Sequence, residues 1–365
     1  MDFLRSHQMF GASPDILTQK GESTIMANDL SSDISEIIEI YYEKGWTDGL
    51  PVVPPTEKKI QAFLEAGGLK AGQEIVFIQN RNVSVTADKV AINAVMAGCR
   101  PEYMPVVAAT LQAMGDSRWG YHGPATSTGG AGVFILVNGP IARELDINCG
   151  DNLFGPGWRA NATIGRAVRL VMRNVIGTLP GRLDRSTLGH AGKYTFCIAE
   201  NEEGSPWPPV HVERGFKREQ NAVTILAALA PHQFYNQLSN TSEGILTTAC
   251  ANMRISAGAG MQPEYVLVIA GEHMAVMQKE GYSKEDIRRF CFEHTQTSHA
   301  ELKRINAMPG AIEPGDETKM KTLVPSKEDF IVVAAGSRAG AFSAYIPAWA
   351  GKKSSESVTV EIRRP

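Results

Sequence analysis

The stretch GVFILVNGP, Gly132–Pro140, is a short apolar run bounded by glycines. That is the pattern of a buried strand. Working outward, the segments before it, TADKVAINAVMAGC and PEYMPVVAATLQAM, read as two helices. Pro101 opens the second at a first-turn position. After it, RANATIGRAVRLVMRNV predicts a helix with Ile164, Ala167, Val168, Val171 and Val175 on one face. KYTFCIAEN and AVTILAAL read as strands. Nearer the start, SSDISEIIEIYYEKGW spaces Ile34, Ile37, Ile38 and Tyr41 as an amphipathic helix. TDGLPVVPPT is a proline-fixed strap. TEKKIQAFLEAGG is a helix capped by Thr56, EIVFIQ a strand, and SVTVEI a final strand.

Part of this order recurs. AGCRPEYMPVVAATLQAM (Ala97–Met114) and AGMQPEYVLVIAGEHMAV (Ala259–Val276) share A-G-x-x-P-E-Y-x-x-V-x-A. Each is followed by a strand closed by a small-residue turn, VFILVNGP at Val133–Pro140 and FIVVAAGS at Phe330–Ser337. One reading is a duplicated α/β half with an insertion in one copy. The other is coincidence around a Pro-Glu-Tyr helix start. The expectation is an α/β protein of two lobes, residues 31–215 and 222–365, with the site in the cleft between them. Residues 1–30 are expected to be a disordered tail.

The bulk numbers exclude several classes. The chain has 365 residues, 43% of them hydrophobic and 21% charged, with a formal net charge of −3. No Lys/Arg block is long enough to track phosphates, so no nucleic-acid partner is expected. No run reaches the roughly 18 apolar residues of a membrane helix. The start lacks the apolar core of a signal peptide. Five scattered cysteines without a CxxC pair read as reduced thiols in the cytoplasm.

Three stretches carry candidate chemistry. In NCGDNLFGPGWRANATIGRAVRLVMRNV (Asn148–Val175), a turn holding Asn152, Gly155 and Gly157 leads into a helix whose first turn has Arg159 and Asn161. A helix start with unpaired N–H groups is ready for an anion. Cys149, placed near that end and a guanidinium, is expected to shift toward thiolate. In GHAGKYTFCIAENEEGSPWPPVHVERG (Gly189–Gly215), a strand carrying Cys197 ends in Glu200, Asn201, Glu202 and Glu203, flanked by His190, Lys193 and His211. Carboxylates held close raise one another's pKa and make a general acid, with Glu200 foremost. In WGYHGPATSTGGAGVF (Trp119–Phe134), His122 is an acid/base candidate, with Ser127 and Thr128 as ligand donors. The bland alternatives are turn-making, a solvated acidic loop and a structural histidine. The Asp48-Gly49 turn reads as a packing arm, and GSRAGAFSAYIPAW (Gly336–Trp349) offers backbone donors and Arg338 to an anion.

No cofactor is evident. HExxH, GxGxxG and GxSxG are absent, and His294 and His299 are five apart, off one helix face. A metal is not excluded.

Several phrases together, GWTDGLPVVPPT, AINAVMAGCRPEYMPVV, NGPIARELDINCGDNLFGPGWRANATIGRA, GKYTFCIAENEEGSPWPPVHVERGF and GYSKEDIRRFCFEH, resemble a bacterial family of largely unassigned function. The resemblance spans roughly residues 36–350. It implies association with a small UGSC (seleno)protein, named for a Sec/Cys-Gly-Ser-Cys motif absent from this chain. It also implies serine at the position of Cys149 in related chains. That raises the standing of Arg159, Asn161, Cys197 and Glu200.

The expectation is the catalytic subunit of a thiol- or selenol-dependent oxidoreductase acting on a small organic anion. Glu200, Cys149, Cys197 and His122 would be catalytic. Arg159, Asn161, Asn152, Gly155, Gly157, Asn201, Glu202, His190, Lys193, Ser127 and Thr128 would bind substrate. The rivals are a lyase or hydrolase using acid/base groups alone, and a non-catalytic subunit of a heteromeric enzyme. The composition allows a homo-oligomer.

Overall fold

In the computed structural model, the described residues are 34–254 and 261–365. The tail expected over 1–30 lies outside them. The helices are α1 (Ile34–Glu43), α2 (Glu57–Ala66), α3 (Ala87–Ala97), α4 (Met104–Met114), α5 (His122–Thr126), α6 (Pro140–Glu144), α7 (Arg159–Asn174), α8 (Val210–Glu213), α9 (Ser242–Arg254), α10 (Gly271–Lys279), α11 (Lys284–His294) and α12 (His299–Arg304). The strands are β1 (Glu74–Ile78), β2 (Val83–Thr86), β3 (Gly132–Asn138), β4 (Cys197–Ala199), β5 (Ala222–Ala228), β6 (His232–Tyr235), β7 (Pro263–Ile269), β8 (Thr297–Ser298), β9 (Met320–Lys321), β10 (Phe330–Ala334), β11 (Phe342–Gly351) and β12 (Val358–Glu361). The protein is α/β. No helix among the described residues is long and apolar enough to cross a membrane.

One sheet dominates, ordered β10-β7-β11-β5-β3-β4, with β12 on β5 and β6 on β11. It contains two matching halves. In one, β3 runs parallel to β4 and antiparallel to β5, which pairs with β12. In the other, β7 runs parallel to β10 and antiparallel to β11, which pairs with β6. Two helices follow each first strand, α6 and α7 before β4 in one half and α10 and α11 in the other, where β8, α12 and β9 intervene before β10. The chain thus sends β6 from the first half across to the second, and β12 from the second back to the first. The halves join where Ala348 of β11 meets Ala228 of β5.

The strands are buried on both faces, which is why they read as unbroken apolar runs. Along β3, Val133, Ile135 and Val137 face the core under α3, α4 and α7. Along β7, Tyr265, Leu267 and Ile269 face a second core under α9 and α11. The alternate residues, Phe134 and Leu136 with Val266 and Val268, share a third core inside the sheet. The sheet curls around it until its ends meet. Asn201, just past β4, donates its N–H to the carbonyl of Ala334 in β10 at 2.7 Å. The Asn148–Cys149 segment fills the rest of the seam: Ala199 N–H donates to Asn148 O at 3.1 Å, and Gly336 N–H to Cys149 O at 2.8 Å.

Three expectations change. The two Pro-Glu-Tyr segments are not structural equivalents. Pro101–Tyr103 is a helical turn leading into α4, whereas Pro263–Tyr265 begins β7. The counterpart of β3 is β7, and Phe330–Ala334 matches β4. The repeat is one of topology, in a different register from the shared letters. The boundary near 215–222 falls inside the first half of the sheet, because β5 sits between β3 and β12.

Candidate active site

The carboxyl ends of parallel strands are where open α/β sheets place ligands. At the ends of β3 and β4 lies a cavity of about 480 Å³. Its walls come from the start of α6, the Asp146–Gly150 seam segment, Trp158, the Ala199–Glu203 turn and Arg218. All belong to the first half of the sheet, so this site is not in a cleft between lobes.

Cys149 lines the cavity and is half-buried, whereas Cys99, Cys197, Cys250 and Cys291 are buried. An Asx turn presents it: Asn148 Oδ1 accepts from Gly150 N–H at 2.8 Å, and Asn148 Nδ2 donates to Asp151 O at 2.9 Å. Asn161 anchors that turn. Its Oδ1 accepts from Asn148 N–H at 2.7 Å, and its Nδ2 donates to the carbonyls of Asn148 and Cys197.

The thiol is not shifted toward thiolate. Burial pushes the Cys149 pKa up, and the carboxylates of Glu203 and Glu202 push it the same way, against a hydrogen bond from its own backbone. Arg159, expected to lower it, points elsewhere. Its guanidinium donates to Gly98 O at 2.9 Å and Cys99 O at 3.3 Å, capping the end of α3.

The acids divide by environment. Glu200 is 4% exposed and closes a buried network. Its Oε2 accepts from Asn138 Nδ2 and Val210 N–H, both at 2.7 Å, and its Oε1 from Lys284 Nζ at 3.0 Å. Lys284 also reaches Glu213, which Arg288 grips with two bonds. Glu202 stands nearer the opening. Its Oε1 accepts from Gly139 N–H at 2.6 Å and Asn138 Nδ2 at 3.0 Å. Glu203 pairs with Arg143 on the surface. His211 is wholly buried, its Nδ1 3.8 Å from Glu202, and neither ring nitrogen has a hydrogen-bond partner among the described residues. The first N–H groups around α6 are thus already engaged: Glu202 takes Gly139, and Asn221 Oδ1 takes Ile141 at 2.9 Å.

The other sequence candidates lie elsewhere. His122, Ser127, Thr128, His190 and Lys193 gather at the amino end of β3, roughly 20 Å from Glu200 along a seven-residue strand. His122 is exposed. Ser127 Oγ accepts from Trp349 Nε1 at 2.6 Å. The Thr128 carbonyl accepts from Thr187 N–H. Lys193 pairs with Asp184 at 2.7 Å. Burial lowers the His190 pKa, and its Nδ1 accepts from Gly192 N–H while Nε2 meets Ala228 O. Asn152 and Gly155 line a different cavity, of about 510 Å³, with Ser337 and Phe342. A third, about 350 Å³, takes in Gly155, Asn161, His190 and Cys197. Burial pushes Cys197 far up. Gly157 holds the turn with a φ of 131°.

Sequence reasoning missed Asn138, Asp146, Trp158 and Arg218. Only Asn138 carried a signal, as a polar residue ending an apolar strand. No three-ligand metal cluster occurs among the described residues. In comparison with known proteins, no family model and no curated protein matches this chain.

Proposed function

We propose that this chain is the catalytic subunit of a thiol- or selenol-dependent oxidoreductase, with its reaction site in the cavity at the ends of β3 and β4. The observation that carries the reading is Cys149. It is the one half-exposed thiol of the five, and it is presented by an Asx turn into a cavity sized for a small molecule. Arg218, exposed at the wall and without an ion-pair partner among the described residues, suits the anionic group of a small organic substrate. Five free thiols suit a reducing compartment such as the cytoplasm. The chain lacks a vicinal dithiol motif of its own, so the second redox sulfur or selenium comes from a small UGSC-type partner. In the reaction, Cys149 and the partner's thiol or selenol join in a mixed bond as two electrons and two protons pass to the substrate, and a dithiol reductant then restores both groups.

A raised thiol pKa and carboxylates on the wall favour a second reading, a lyase or hydrolase in which Glu202 moves the proton. One experiment separates them. Protein purified from its own host is treated with diamide and analysed by native mass spectrometry, alongside Cys149→Ser. The redox reading expects a small thiol or selenol protein bound to wild type through Cys149 and absent from the variant. A chain free of any such partner, with Cys149 still reduced, overturns it in favour of acid/base chemistry.

A further inference from the structure

The second half of the sheet repeats the topology of the first, so it has its own pair of parallel strand ends, those of β7 and β10. The cavity of about 510 Å³ lies there. Val268 and Ala270 bring it the end of β7, and Ala335, Gly336 and Ser337 the turn after β10. It holds in the second half the place that the Cys149 cavity holds in the first. It also sits at the mouth of the curled sheet, because Leu153, Val268, Ala335 and Ala344 belong to the core that the sheet encloses. Strand ends and barrel mouths are where such folds hold small molecules.

Its chemistry differs from that of the first cavity. No ionisable side chain lines it among the described residues. Arg338, next along the turn, is exposed and is not part of the wall. The start of α10 is no anion seat either. Gly271 N–H donates to Ser337 O at 2.8 Å, and Ala270 N–H to Ser343 Oγ at 3.2 Å. A charged ligand would be buried without a counter-charge, which is costly.

The apolar wall is aromatic. Phe154 and Phe342 both line the cavity and are 41% and 37% exposed. Gly155, Gly336 and Gly340 add no side chains to fill the space. The polar groups are of both kinds. Ser343 is 4% exposed. His273 Nε2 meets the Asn236 carbonyl, which only accepts, so Nε2 holds the ring proton and Nδ1 takes the Ser343 hydroxyl proton. With Ala270 N–H accepted as well, Ser343 keeps one lone pair. Ser337 Oγ accepts from Ala339 N–H at 3.0 Å, and its own proton has no acceptor among the described residues. Asn152 Nδ2 donates to Pro156 O, which leaves its Oδ1. The Gln233 amide has no partner among the described residues. Nor do the main-chain N–H groups of Asn152, Leu153, Phe154, Ser337 and Gly340.

We infer that this cavity is a second ligand site, for an uncharged planar aromatic molecule with an amide-type edge. The ring packs on Phe154 and Phe342. The edge gives and accepts hydrogen bonds, as Gln233, Ser337 and Ser343 do. The site does not depend on the chemistry of Cys149.

Benzamide, benzoate and benzamidinium are neutral, anionic and cationic versions of one planar shape. Each is titrated at equal ionic strength into the native full chain, isotope-labelled at its alanine methyl groups and followed by NMR. Benzamide is expected to shift Ala335, Ala339 and Ala344 saturably, and to bind about tenfold more tightly than either ion. Phe342→Ala is expected to weaken it about fivefold. Phe342→Tyr, which keeps a ring, should bind as wild type does. Unmoved methyl signals from Ala91 and Ala94, in the first core, show that each variant is folded. Equal binding by either ion overturns the uncharged class. Cyclohexanecarboxamide bound as tightly as benzamide overturns the aromatic one. No saturable shift with any probe overturns the site. The pH profile of Cys149 alkylation by iodoacetamide, followed by peptide mass spectrometry, reports the first cavity in the same samples. Benzamide that blocks this reaction while the three alanines stay unmoved has gone there instead, and the assignment fails.

Discussion

Asn161 directs its whole side chain at backbone, one acceptor to Asn148 N–H and two donors to the carbonyls of Asn148 and Cys197. Removing it strands buried groups that each cost about 1–3 kcal/mol. Asn161→Ala is expected to lower the unfolding free energy by about 2–4 kcal/mol in urea titrations. It should also speed Cys149 alkylation, since the seam segment loses its anchor. Arg159→Ala should leave the alkylation profile of Cys149 in place, because that guanidinium serves Gly98 and Cys99. A strong upward move of the Cys149 profile in Arg159→Ala would contradict this division of labour. The chemistry of both residues is plain in the sequence, but their direction is not. A side chain at a helix start serves an anion only if no carbonyl claims its donors first, and here the claimants, Gly98 and Cys99 for Arg159 and Asn148 and Cys197 for Asn161, come from other parts of the chain.

At the scale of elements, α11 is clasped to the end of β4. Lys284 is 2% exposed and bridges Glu200 to Glu213. Truncating one partner of a buried pair leaves a bare charge, at a cost of about 3–5 kcal/mol. Lys284→Met is expected to lose that much, and Glu200→Gln combined with Lys284→Met distinctly less than the two single losses together. Additive losses would show that the pair is not coupled. The elements themselves were largely legible. Gly132–Asn138, Ala222–Ala228 and Val358–Glu361 are strands where apolar runs or alternation place them, and Arg159–Asn174 is the helix expected from its stripe. The Pro-Glu-Tyr pair misled because shared letters hid opposed propensities. Met-Pro-Val-Val-Ala-Ala suits a helix with proline in its first turn, while Val-Leu-Val-Ile suits a strand. The KYTFCIAEN strand shrank to Cys197–Ala199 because His190 caps a short 3₁₀ turn before it, accepting from Gly192 N–H.

For the molecule as a whole, a half-buried and a buried histidine set a limit in acid. Burial lowers the pKa of His190 in the first half and of His273 in the second. His273 Nδ1 meets Ser343 Oγ at 2.8 Å and Nε2 meets Asn236 O at 3.2 Å, an arrangement for one ring proton. Lowered native values mean that the unfolded chain protonates first. Their contribution is whole above about pH 6.5, the unfolded value, and falls as the pH drops below it. Urea midpoints are expected to fall between pH 7 and pH 5, and to fall less steeply in His273→Asn. A midpoint that is flat or rising over that range would contradict the neutral assignment. The split of the candidate residues between opposite ends of β3 could not be read from the sequence, because Ser127 and Glu200 are both next to strands and only the direction of each strand tells which end.

The reciprocal passage of β6 and β12 makes this chain a handshake between its own halves. Leu238, fully exposed between β6 and α9, is a place to cut without opening a core. A fragment ending there keeps β6 with nothing to lie against, and the remainder keeps β12 with nothing to lie against. Made alone, each is expected to precipitate through its open strand edge. Made in one cell, they should purify as a soluble one-to-one pair. A fragment that stays monomeric and folded alone would show that the grip is ornamental. Two uncut copies could clasp each other by the same arms, so the fold carries within it the means of becoming an intertwined dimer.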